Sequence, residues 1–253
     1  MNVLQYPNPP AAAEACGQRV LDLLGEALAA RRWATLAVSG GTSPRPMFEL
    51  FAKTGYLWQQ VHIFWVDERY VPPSDPQSNF RLADETWLAP AKVPAANIHR
   101  VPTHLEPHEC ARQYGEHVRA VFQSLFGLKA GELPQFDVIH RGMGPDGHTA
   151  SLFPGENLIQ NSKEDREHLA AAVWVEKMHQ WRITLLPGVL EAARNTVVLA
   201  TGADKATALD AVLRGPYDPL KWPAQIASRE GSPATWFLDE ASAAFVKDLP
   251  KEV

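Results

Sequence analysis

Apolar residues recur along this chain in two rhythms. Between Ala11 and Arg31, Val20, Leu21, Leu24 and Leu28 return at helical spacing, which predicts an amphipathic helix. The run Ala34-Thr35-Leu36-Ala37-Val38 reads as a short buried strand. Ser39-Gly40-Gly41-Thr42-Ser43-Pro44 then reads as a glycine loop, and Met47, Leu50 and Phe51 as the stripe of a second helix. Val61–Val66 predicts a second strand, followed by Asp67-Glu68-Arg69, a proline-rich loop from Val71 to Pro76, and a helical segment opened by Ser78-Asn79-Phe80. Tyr114, Val118, Val121, Phe122 and Leu125 mark one side of a helix from Pro107 to Phe126.

Phe136–Ile139, Leu169–Val175, Trp181–Leu185, Thr196–Ala200 and Thr235–Leu238 read as further strands. A short helix is expected around Val189–Ala193, another from Gly202 to about Leu213, and a closing one over Glu240–Phe245. Strands separated by helices predict an α/β fold whose sheet is mostly parallel, with helices on both faces. The polar stretch from Glu156 to His168 reads as a surface loop or helix rather than a linker, and no internal repeat is present. One domain over residues 1–253 is the simplest account.

Composition narrows the function. The chain is 45% apolar and 21% charged, ordinary for a soluble globular protein, with a net charge of −5. No global basic field is on offer for nucleic acid or membrane, so an anionic ligand must be held by a local cluster of donors. Cys16 and Cys110 match no metal or redox spacing, which points to a reducing compartment. With no signal peptide at the start and no run of membrane-spanning length, the expected location is the cytoplasm.

The candidate chemistry stands at strand ends. Gly142-Met143-Gly144-Pro145-Asp146-Gly147-His148 follows a predicted strand, where open α/β sheets bind ligands. Asp146 is placed to fix the tautomer of His148, a candidate general base. Ser39, Gly40, Gly41, Thr42 and Ser43 form an anion cradle of backbone N–H groups and hydroxyls. Arg69, Lys205 and Arg182 are the cations expected to join it, with Asp67 and Gly144 beside them. Taken singly, each has a plainer reading: a capped turn, a strand-end salt bridge, a solvated lysine, a peripheral charge. Shared topology is what joins them, because the carboxyl ends of parallel strands lie along one edge.

Ser39–Pro44, Asp67-Glu68-Arg69-Tyr70-Val71-Pro72, Ser78-Asn79, Gly142–Pro154, Arg182-Ile183-Thr184-Leu185 and Gly202–Ala206 together resemble the signature blocks of the 6-phosphogluconolactonase family, over nearly the whole chain. The resemblance implies one Rossmann-like, three-layer α/β domain, shared with glucosamine-6-phosphate deaminases and ribose-5-phosphate isomerases. It implies hydrolysis of 6-phospho-D-glucono-1,5-lactone in the pentose phosphate pathway, with no cofactor and no metal. His140-Arg141 departs from the family pattern, whose strands tend to be apolar at these two positions. Arg141 is expected to reach solvent, meet a carboxylate such as Asp67, or join the anion site.

No Gly-x-Ser-x-Gly elbow is present, so attack by water under general-base catalysis is expected rather than a serine acyl-enzyme. The partner is then a small sugar phosphate, with no nucleic acid and no membrane, in a monomer or small homo-oligomer. Two alternatives are weighed. A glucosamine-6-phosphate deaminase or isomerase resembles Asp-Gly-His-Ile-Ala-Phe-Asn-Glu, whereas Thr149–Phe153 supplies no acid here. A sugar-phosphate-binding regulator without catalysis needs a DNA-binding extension, and only about thirty residues precede the first predicted strand.

Overall fold

In the computed structural model, which describes residues 2–160, 167–228, 234–246 and 248, ten strands divide between two sheets. Seven form a wholly parallel sheet: β1 (Asn2–Tyr6), β2 (Ala34–Val38), β3 (Val61–Trp65), β5 (Ile98–His99), β6 (Val138–Gly142), β9 (Thr196–Ala200) and β10 (Ala234–Asp239). Their order is β1-β10-β9-β6-β2-β3-β5. From β2 the chain proceeds outward through β3 to β5; from β6 it proceeds the other way through β9 to β10. The loops leaving β2 and β6 therefore diverge, and the crevice between them is the topological switch point at which such sheets bind ligands.

Helices α1 (Pro9–Ala30), α2 (Arg45–Lys53), α3 (Asn79–Ala83), α4 (Pro107–Phe126), α5 (Pro187–Glu191) and α6 (Ala206–Arg214) cover the sheets. The expected amphipathic helix starts two residues early, because the Asn8 side chain accepts the Ala11 N–H and Pro9 and Pro10 fit the first turn. Met47, Phe48 and Phe51 of α2 are buried against Trp58 and Trp87, with Phe48 stacked on Trp87 at 5.6 Å and Phe51 tilted on Trp58 at 5.4 Å. Each such aromatic pair contributes about 0.5–1.5 kcal/mol beyond its buried area. This packing fixes the helix, and the helix fixes the Ser39–Pro44 loop that enters it.

The second sheet departs from the sequence reading. β7 (Ala170–Val175) and β8 (Gln180–Leu185) do not join the parallel sheet; they form an antiparallel three-stranded sheet with β4 (Asp67–Arg69). Four residues separate β7 from β8, and a parallel crossover needs a dozen or more. Three strands were missed: β1 at the sheet edge, the two-residue β5, and β4, which was read as the end of the preceding strand. The strand expected at Phe136–Ile139 starts two residues later and runs through His140, Arg141 and Gly142.

No closing helix forms over Glu240–Phe245; the chain makes turns instead. The Asp239 carboxylate accepts the N–H of Ser242 at 3.0 Å and the Ser242 hydroxyl donates to the Ala200 carbonyl at 2.8 Å. These local bonds compete with a helical ladder. Of the polar stretch Glu156–His168, residues 161–166 lie outside the described part. No described helix is long and apolar enough to cross a membrane.

Candidate active site

A cavity of about 260 Å³ opens at the carboxyl edge of the parallel sheet. Ser39, Gly40, Gly41, Thr42, Ser43, Asp67, Arg69, Gly144, His148, Arg182 and Lys205 all line it. These are all the candidate site residues except Asp146, which stands behind His148. The expectation of a common edge holds for the loops after β2, β3, β6 and β9. Arg182 arrives differently: it lies within β8 and is delivered by the antiparallel register, directly opposite Arg69 of β4.

The Gly142–His148 turn shapes a carboxylate–imidazole pair. Asp146 Oδ1 accepts from the His148 backbone N–H at 3.2 Å and lies 2.5 Å from His148 Nδ1. This contact places the proton on Nδ1 and leaves Nε2 as the basic nitrogen. Burial alone raises the Asp146 carboxyl, but hydrogen bonds from His148 and from the Lys177 ammonium outweigh it and hold the group well below the usual carboxylate range. Phe153 stacks on the imidazole at 4.4 Å, and Lys177 Nζ lies 4.7 Å from the centre of the Phe153 ring. Gly144 is required sterically, since a Cβ there would fall 2.0 Å from His148 Cε1. Its N–H is spent on the His148 carbonyl at 2.9 Å, so Gly144 shapes the site without offering that donor to a ligand.

Carboxylates near the cations are otherwise engaged. Glu68 turns away from Arg69's guanidinium and accepts the backbone N–H groups of Arg69, Asn79 and Phe80 at 2.7–2.8 Å, with the Ser78 hydroxyl at 3.1 Å. Burial pushes its carboxyl up against the pull of these bonds. Asp67 is buried and accepts the hydroxyls of Ser39 at 3.4 Å and Ser151 at 2.8 Å. Arg69 Nη1 donates to the Gln77 carbonyl at 2.7 Å, and Arg182 Nη2 meets the Met178 sulfur at 3.1 Å. The strand-end salt bridge between Arg69 and its acidic neighbours does not form. Burial, and then the charge of Arg69, push the Arg182 guanidinium below its ordinary value. Lys205 has Asp204 at 3.5 Å, itself largely exposed. Among the described residues neither of the adjacent Arg69 and Arg182 guanidiniums is ion-paired, and with Lys205 they have the donors to meet a doubly charged oxyanion.

The cradle is built by close packing. A Cβ on Gly40 would fall 2.1 Å from Asn79 Oδ1, so only glycine lets the loop lie against α3. Ser39 donates its N–H to the His140 carbonyl at 3.2 Å; among the described residues the N–H groups of Gly40, Gly41 and Thr42 have no protein acceptor. At the far end of β10, Asp239 Oδ1 accepts the Gly202 N–H at 2.9 Å and so anchors the loop that carries Lys205.

Of the fates expected for Arg141, neither solvent nor the anion site is met, and the carboxylate whose charge it senses is Glu191 rather than Asp67. Arg141 is 1% exposed, lies off the cavity, and has Nε and Nη1 without partners. Burial pushes it down to about 10, with the charge of Glu191 acting the other way. Sequence reasoning missed Lys177, Phe153, Ser151, Asn79 and the cavity-lining His140. The first two stand in the Glu176–His179 turn and just past the Gly-rich motif, and no local spacing ties either to His148. No group of three His, Cys, Asp or Glu side chains among the described residues is arranged to hold a metal ion.

Cavity and sheet together define an α/β protein with a cation-lined cleft beside a carboxylate-held histidine. Residues 7–236 match the family model described as glucosamine-6-phosphate isomerases/6-phosphogluconolactonase, and the chain belongs to that family. It is 36% identical over 223 residues to a 6-phosphogluconolactonase of Synechocystis sp., covering 85% of each chain. It is 34% identical to the Haemophilus influenzae 6-phosphogluconolactonase, covering 82% of this chain and 85% of that one. The crystal structure of 6-phosphogluconolactonase from Thermotoga maritima superposes with a TM-score of 0.78 at 26% identity, over 94% of this chain and 99% of that one. The Trypanosoma brucei 6-phosphogluconolactonase gives 0.82 at 25% identity, over 97% and 98%.

Proposed function

We propose that this chain hydrolyses 6-phospho-D-glucono-1,5-lactone to 6-phospho-D-gluconate, the lactonase step of the pentose phosphate pathway. One observation carries the reading. Arg69, Arg182 and Lys205 line the same cavity as a histidine whose Nδ1 is held by Asp146, so a phosphate grip and a general base serve one ligand. Relatives named for this activity match nearly the full length of the chain.

Neutral His148 takes a proton through Nε2 from a water as the water oxygen attacks the C1 carbonyl. The tetrahedral intermediate collapses with cleavage of the C1–ring oxygen bond, and the imidazolium returns its proton to that oxygen. Asp146 keeps the ring in place and favours the imidazolium. Holding the 6-phosphate far from C1 converts binding energy into position, which removes much of the entropic barrier to attack. Residues 1–253 then work as one catalytic unit. A cytoplasmic setting is supported by the two cysteines, which are buried and unpaired.

The test is a lactonase assay with phosphorylated and plain gluconolactone side by side, corrected for spontaneous opening. The expected result is rapid turnover of the phosphorylated lactone and no ammonia from glucosamine 6-phosphate. Ammonia release without lactone hydrolysis overturns the proposal.

A further inference from the structure

His140 lines the cavity, and its ring chemistry is not used by the proposed mechanism. It sits in β6 one residue before the strand's last, is 1% exposed, and neither ring nitrogen has a hydrogen-bond partner. Leaving a buried polar group unpaired is costly, and buried imidazoles normally find a partner. Nothing in its own strand supplies one, since its neighbours are Ile139 and Arg141, and its ladder partner across β9 is Val197. Its carbonyl accepts the Ser39 N–H at 3.2 Å, so the residue is stitched to the first position of the glycine cradle. Ser39–Pro44, Lys205 and His140 line the same cavity.

We infer that His140 is a substrate-recognition residue, donating an imidazole N–H to the phosphate that the Ser39–Ser43 loop and Lys205 bind. The inference rests on the proposed lactonase reading and deepens it by assigning a further contact at the anionic end. Burial pushes the His140 imidazole down to about 3, so the ring enters the complex neutral, with one N–H to give. A neutral donor suits a place already crowded with cations. It adds a directed hydrogen bond without a further charge to repel Lys205, Arg69 or Arg182. An apolar residue at this position would remove the unpaired group and the phosphate contact together. That predicts an uncommon signature, in which affinity is lost without loss of fold stability.

Isothermal titration with 6-phosphogluconate, and separately with inorganic phosphate, tests this on His140→Leu, His140→Met and His140→Gln. The Leu and Met variants are expected to weaken 6-phosphogluconate binding roughly tenfold to a hundredfold, the range for a hydrogen bond to a charged group. Inorganic phosphate should weaken in parallel, and the melting temperature without ligand should stay level or rise. His140→Gln, which keeps an N–H donor, should recover part of the affinity. A fall in melting temperature with affinity kept within twofold makes His140 a packing residue and overturns the inference. Equal binding by the Gln and Leu variants overturns it as well. If the wild-type chain binds 6-phosphogluconate through His140 yet fails to open the lactone, the proposed function falls and this inference stands.

Discussion

Arginines gather near both ends of the parallel sheet's strands, and the two ends treat them differently. At the amino end, Asp137 is buried in contact with Arg31 and 3.5 Å from Arg194, while its other oxygen accepts the Thr35 N–H at 2.9 Å and the Thr35 hydroxyl at 3.1 Å. Both guanidiniums there share one buried carboxylate. At the carboxyl end, Arg69 and Arg182 sit side by side in a ladder whose nearby acids have been drawn off to backbone N–H groups and serine hydroxyls. A carboxylate between arginines ties the fold together; under the proposed function, a cation pair without one is completed by the ligand's phosphate. That difference distinguishes the two pairs more sharply than burial does.

Breaking each end should therefore have opposite readouts. The largest effect is expected at the base: His148→Ala should lower kcat by roughly 10²–10⁴-fold with little change in KM, measured by stopped-flow hydrolysis corrected for spontaneous opening. Asp137→Ala should cost about 3 kcal/mol of folding stability in denaturant melts, because two arginines and a backbone N–H lose their acceptor, with kcat per folded molecule unchanged. Arg69→Ala and Arg182→Ala should do the reverse. Each should raise KM for the phosphorylated lactone about tenfold to a hundredfold, with stability level or improved once the like-charge contact is gone.

The smallest effect concerns pH. The Asp146 carboxyl is depressed in the folded chain, so it adds stability at pH values above the ordinary carboxylate range, near 4, and that contribution is lost as pH falls further. The stability gap between wild type and Asp146→Asn should thus be widest near neutrality and close toward pH 3. A gap that widens on acidification contradicts the pairing with His148 and Lys177.

Apolar runs at Ala34–Val38, Val61–Trp65 and Thr196–Ala200 made the centre of the sheet legible, since strands buried on both faces read as unbroken hydrophobic runs. The edges were not. Asn2-Val3-Leu4-Gln5-Tyr6 mixes polar and apolar residues because it has a neighbour on one side only. Trp181–Leu185 looks like any parallel strand, and only the four-residue gap before β8 reveals that it pairs antiparallel. The Asp146–His148 pair was readable because its two members stand two residues apart. Lys177, thirty-one residues from Asp146, carries no such mark.

Arg69 and Arg182 stand on one sheet, His148 on a turn leaving another, and Lys205 after a strand some sixty residues further along the chain than that turn. The three cations and the histidine come from separate strands and loops of the two sheets. Recovery of turnover in a refolding experiment therefore reports docking of the small antiparallel sheet onto the large one. Circular dichroism, which follows helix content, should reach its final value earlier than catalysis does.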